Sequence, residues 1–328
     1  MPLRGVRVLL CCGLLALAGC QRVPAPVQST QSEPAAAVQR LARHLRDNDL
    51  DGFARDAVPP TQYAALESAW REGHSRWPLT ELPLEEQLEP LLATLSAPGS
   101  ERALQQGFNR NFANQDKDLR DAARSLGAFG VQYVKREGVY TAEERAHYAQ
   151  VISALSQWGA QAPLGDPKRS AVAIPKLVAA ARRTGLADGR DPASGAGSGA
   201  RSAAVTGPGP AHGSSPGQAL RETGMGETLR RLGPFFAQVK ASLASYGLSL
   251  DRSLSGLRTE LVEQKGDQAR VRIHYPLGKR QIDTVISLQR REGHWYLSDH
   301  LHHAEQALAA PAGESAEAIA PAQNVTPD

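Results

Sequence analysis

The chain has 328 residues, with 37 Lys and Arg against 34 Asp and Glu and a formal net charge of +3. That balance offers no electrostatic case for nucleic acid, which calls for a basic stripe or patch. Aromatic residues make up 5% of the chain, so a core must be built mainly from Leu, Ala and Val, and no run of 18 apolar residues reads as a membrane span.

The N-terminus carries Arg4 and Arg7 and then an almost wholly apolar run, Val8–Ala18. That run is too short to cross a hydrocarbon core of roughly 30 Å. A basic start, a short apolar middle and small residues at its end have the layout of a secretory signal. The tetrad Leu17-Ala18-Gly19-Cys20 resembles the lipobox of bacterial lipoproteins. The resemblance implies cleavage after residue 19, a diacylglycerol on the Cys20 thiol and acylation of its new amino group. Acyl chains worth about 0.8 kcal/mol per buried methylene would anchor the chain stably. Gln21 in place of Asp implies, by the sorting rule of Gram-negative bacteria, the outer membrane on its periplasmic side.

Loss of residues 1–19 lowers Lys and Arg from 37 to 35 against 34 acids, so the mature chain is expected near neutral. Cys11 and Cys12 leave with the signal and Cys20 is lipidated, which leaves no free thiol and no disulfide. Residues 20–34 read as the lipidated cysteine and a flexible, Pro-bearing tether, with an r.m.s. span of roughly 20 Å.

Residues 35–185 read as a helical domain. Val38, Leu41 and Leu45 share one helical face, as do Tyr63, Leu66 and Trp70 after Pro59-Pro60. Leu84, Leu88, Leu91 and Leu95 form a stripe that Pro90 should kink or restart, and Leu104, Phe108 and Phe112 repeat behind a Ser100 cap. Thr141-Ala-Glu-Glu144 is a capping box opening a helix lined by Tyr148, Ile152 and Leu155. Asp166-Pro167 places a cap before Pro at the first helical position, and Gly185 suits a left-handed C-terminal stop.

Residues 186–217 are dominated by Gly, Ser, Ala and Pro and read as a disordered linker; the tail 309–328 reads alike. Between them, 218–308 forms an expected α+β domain. Leu229, Leu232, Phe236, Val239, Leu243 and Tyr246 describe one long helix. Alternating segments follow: a first strand from Leu257, then ARVRIHY, QIDTVISL and HWYLS, joined by short polar turns. The expected fold is therefore α+β: a mainly helical N-terminal unit, then a long helix packed on a four-stranded antiparallel sheet.

The segment DTVISLQRREGHWYLSD resembles the last strands of nuclear-transport-factor-two-like, or cystatin-like, α+β domains. LRDNDLDGFAR (Leu45–Arg55) resembles the first helix-turn of such domains, which implies one composite domain interrupted by helices. The whole chain also resembles xanthomonad-type lipoproteins, a likeness that implies no activity. Members of the cystatin-like group range from enzymes to binding modules, so the fold alone assigns no function.

No nucleophile elbow, phosphate loop, zinc-protease helix, dinucleotide fingerprint or calcium loop is present. Three clusters carry candidate chemistry. Asp299, His302 and His303 fall three and four apart on a terminal helix capped by Ser298, with His294 nearby; imidazole and carboxylate suit Zn or Cu. The same residues also fit an exposed polar helix face. Arg270, Arg272 and His274, with Lys279 and Arg280 at the next turn, form a cationic strand face for an anion or acidic partner, or else pair with Asp283 or Glu260. Trp70 and Trp77, with His74 and Arg76 between them, suit a sugar or peptide groove or the helical core. The expected function is a non-enzymatic binding or structural lipoprotein of the envelope, held at the membrane through Cys20, with an envelope protein or component as partner and no nucleic acid. The alternative is a metal-binding or metal-dependent enzyme using Asp299, His302 and His303. A third reading is a carrier of a small apolar ligand beneath the sheet.

Overall fold

The computed structural model describes residues 33–81, 85–136, 140–187 and 216–309. The signal, Cys20, most of the tether, the interior of the linker and the tail lie outside the described residues. In chain order the elements are α1 (Glu33–Asp47), α2 (Leu50–Ala57), α3 (Pro60–Glu72), a 3-10 turn at Leu79–Glu81, a second at Glu85–Gln87, α4 (Leu88–Ser96), α5 (Ser100–Asn111), α6 (Asp116–Arg136), α7 (Ala142–Gly159) and α8 (Pro167–Thr184). Then come α9 (Pro216–Thr223), α10 (Met225–Ser245), α11 (Leu250–Ser255), β1 (Arg258–Lys265), β2 (Gln268–Leu277), β3 (Arg280–Arg291), β4 (His294–Leu297) and α12 (Ser298–Ala309). The class is α+β, and the four strands form an antiparallel meander in the order β1-β2-β3-β4.

Local signals account for most helix ends. In the capping box of α7, Thr141 N–H donates to Glu144 Oε2 at 2.8 Å and Glu144 N–H to Thr141 Oγ1 at 3.2 Å. Asp166 caps α8 ahead of Pro167, and Gly185 stops it at φ 64°. Ser100 is not the cap of α5: Gly99 holds that place, and the Ser100 hydroxyl donates to Leu95 O at 2.7 Å. Pro90 falls in the first turn of α4, where its missing N–H costs nothing.

The sheet register puts Val271 opposite Ile286 and Ile273 opposite Thr284 on one face, and His274 opposite Asp283 on the other. The apolar face is covered by α1, not by the long helix α10: Ala35, Ala37 and Val38 pack on Ala269, Val271, Ile273, Leu288 and Trp295. The small side chains of α1 let its backbone come close to the strands. Helix α10 is apolar on more than one side and is drawn into the helical core, where Leu229, Leu232 and Phe235 meet Leu66, Trp70 and Val178.

That core also takes Tyr296, Leu301 and Ala304, so stretches 35–185 and 218–308 contribute to one hydrophobic cluster. It reaches into both ends of the expected linker. Leu186 is buried, and α9 lays Leu220 into the core, its carbonyl accepting from Trp70 Nε1 at 2.9 Å. Lys240 of α10 caps the C-terminus of α1, donating to Leu45 O at 3.1 Å and Arg46 O at 2.7 Å, and pairs with Asp251. Helix ends leave such carbonyls unsatisfied, and a cation there suits the dipole.

Candidate functional sites

Helix α12 brings the first cluster into view. His303 turns inward, and its Nδ1 donates to the Glu81 carboxylate at 3.0 Å, while its Nε2 lies 3.7 Å from Glu144 Oε1. Trp77 Nε1 donates to the same Glu81 at 2.9 Å. Burial pushes Glu81 up, but the His303 hydrogen bond, the neighbouring imidazoles and the Trp77 indole outweigh it and hold the carboxyl below its usual range. The Glu81 bond in turn holds His303 above the ordinary imidazole value. Asp299 is raised to about 6, first by burial and then by the charges of Glu144, Glu143 and Glu81. His300 is partly buried, edge-on to Phe53 at 5.5 Å between ring centroids, and desolvation lowers its pKa. The cluster holds α12 against the Leu79–Glu81 turn and α7, and keeps titratable groups near neutrality in a partly shielded place, a recurrent property of functional sites.

The expected metal triad is not gathered there. His302 stays on the exposed side, in a hydrogen bond with Gln306 at 2.9 Å, while His303 faces Glu81. The two rings stay 6.1 Å apart between centroids and tilted by 45°, each engaged by a different partner. Among the described residues no group of three or more His, Cys, Asp and Glu is placed to hold a metal ion. His294 remains at its own turn, its ring meeting Glu292 O at 3.1 Å.

The cationic strand face stays exposed, but most of its cations are paired, in part by α7 at the edge of β3. Arg270 pairs with Glu143 at 3.0 Å, and the other Glu143 oxygen accepts from Ser287 Oγ at 2.8 Å. Across the strands, His274 and Arg272 reach Asp283 at 2.9 and 3.9 Å. Lys279 donates to Gln161 at 2.6 Å, and Arg280 is exposed at the turn. Helix α7 also closes the outer edge of β3 beyond the short β4. The Gln150 side-chain amide donates to Asp283 O at 2.8 Å and accepts from Asp283 N–H at 3.1 Å, as a neighbouring strand would.

The tryptophan groove is likewise replaced by core. Trp70 is 1% exposed and Trp77 0%; both rings fill space between helices, and both indole N–H groups find acceptors. Under the sheet, the space a carried ligand would take is packed by α1.

One surface was not anticipated. Helix α6 packs on α7 through small residues: a side chain at Gly127 would fall 2.2 Å from the Ser156 Cβ, and Ser156 Oγ donates to Ala123 O at 3.0 Å. One flank of this hairpin is an open groove of about 570 Å³ lined by Arg124, Ala128, Gln132, Ser153 and Gln157. The other flank of α6 carries Leu126, Phe129 and Tyr133, exposed by 69%, 68% and 44%. The Phe129 and Tyr133 rings stack at 6.2 Å. With Leu119 and Ala122 these residues repeat in steps of three and four, the spacing of a coiled-coil seam, a signal already visible in the sequence. No helix of the described residues is long and apolar enough to cross a membrane. Comparison with family models, curated proteins and solved structures found no match to this chain.

Proposed function

We propose that the protein is a lipid-anchored lipoprotein of the cell envelope, held at the periplasmic face of the outer membrane through Cys20, and that it works by binding another protein rather than by catalysis. The lipobox-like start supports the anchor. The observation that carries the binding reading is the exposed apolar stripe Leu126, Phe129 and Tyr133 on α6. Large apolar side chains gathered on one face of a soluble helix commonly mark an interaction surface, and aromatic anchors dominate such contacts. The arm stands on a firm base, since α7 is bonded to the sheet by Glu143 and Gln150. Helix α1 lying across the apolar face of a four-stranded meander supports the cystatin-like reading of the base.

The test is a photo-crosslinking residue at Phe129 in the full chain, expressed in a Gram-negative host. A discrete protein adduct is expected there and none from the same residue at Lys265, which is exposed on the β1–β2 turn. Absence of a protein adduct from positions 126, 129 and 133 alike overturns the binding reading.

A further inference from the structure

We infer that the occupant of the α6 stripe is a second copy of this chain, with the two α6 helices packed antiparallel about Leu126. The inference rests on the binding reading above and names its partner.

Helix α6 spans Asp116–Arg136, so residue 126 is its midpoint. The stripe is complementary to itself when reversed about that point. Leu119 falls opposite Tyr133, and Phe129 falls within one residue of the small Ala122, giving the bulkiest exposed ring a place to seat. Leu126 meets Leu126. Size matching of this kind is what lets facing helices close to about 8–10 Å between axes.

The charges follow the same symmetry. The first turn of α6 carries Asp116 and Asp118, and the last carries Lys135 and Arg136. Asp118 and Arg136 are eighteen residues, or five turns, apart and so lie on the same flank of the stripe. Antiparallel packing sets Asp118 of one copy beside Arg136 of the other, twice over, and opposes the two helix dipoles. A parallel arrangement would gather the two acidic first turns at one end and the two basic last turns at the other. An interface in which one patch meets itself is the common form of a closed dimer.

Disulfide trapping tests this in the full, anchored chain. Leu126→Cys places one new thiol beside the two-fold axis, where two copies come within disulfide reach, and the oxidising periplasm favours the bond. A covalent dimer is expected from Leu126→Cys, several-fold above that from Lys117→Cys, whose side chain is exposed on another face of the helix. Leu119→Cys and Tyr133→Cys expressed together should crosslink to each other and far less when expressed singly. Maleimide labelling of each variant checks that its thiol is accessible in a folded chain. A labelled but monomeric Leu126→Cys overturns the self-pairing, as does a strong Leu119–Leu119 bond, which signals parallel packing. If the Phe129 adduct contains a different protein, self-pairing is overturned while the binding reading stands. If Phe129 crosslinks only to lipid, both are overturned.

Discussion

At the scale of single residues, the α12 cluster ties stability to pH in two opposed ways. Asp299 has its pKa raised to about 6, so between pH about 4 and about 6 the folded chain holds a proton that the unfolded chain has lost. Stability from this group therefore falls as pH rises through that window. Asp299→Asn should stabilise the protein by about 1 kcal/mol at pH 7.5, after allowance for solvent screening of a half-exposed group, and make no difference at pH 3.5. Thermal melts at both values check it. The Glu81–His303 pair behaves differently. Glu81 is lowered and His303 raised, so the pair contributes most between the unfolded values of roughly 4.3 and 6.5, and its contribution is lost as pH leaves that window in either direction. Glu81→Gln should cost about 1–3 kcal/mol near pH 5.5 and clearly less at pH 8.5. The His303 imidazole should then titrate lower by NMR. An equal cost at both pH values would mean that Glu81 acts through Trp77 alone.

Between elements, two contacts decide how the helices sit. Gly127 exists for close approach: a methyl there would strike Ser156 at 2.2 Å. Gly127→Ala should destabilise the α6–α7 hairpin by about 1–2 kcal/mol, because overpacking outweighs the better helix propensity. Gly107, in α5, has nothing within 4 Å of the same methyl, and Gly107→Ala should stabilise by about 0.5–1 kcal/mol. Chemical denaturation of the two variants side by side separates the effects. Lys240 binds α10 to the end of α1 and is nearly wholly buried, 4% exposed along its side chain. Lys240→Met should cost about 1–3 kcal/mol, since it strands two carbonyls of α1 while the exposed Asp251 carboxylate stays solvated. Hydrogen exchange should show the last turn of α1 opening first.

For the whole molecule, the proposed anchor and the folded base are open to separate tests. The core shared by α3, α8, α10 and α12 makes a rigid platform from which α6 projects its apolar flank. Cys20→Ala in the full chain should abolish palmitate labelling, release the protein from the outer-membrane fraction and leave an uncleaved precursor. Membrane retention and processing unchanged by the substitution would remove the lipoprotein reading and leave the α6 surface to be judged by itself.

What the sequence determined by itself was local. The capping box at Thr141, the Asp166-Pro167 start, the Gly185 stop and the alternation of β2 and β3 all depend on residues within a few positions of each other, where hydrogen-bond reach and the 3.6 and 2 periods leave little choice. The heptad spacing in α6 was legible in the same way, since it belongs to one helix. The tertiary structure decided everything that joins distant residues. It set α1 rather than α10 on the sheet, drew Trp70 and Trp77 into the core, paired Arg270 with Glu143 and set His303 against Glu81, 222 residues earlier. A period shows that a helix has an apolar face or a strand a cationic one. Which surface meets that face depends on the packing of the whole chain, where side-chain volumes and buried charges must be satisfied together.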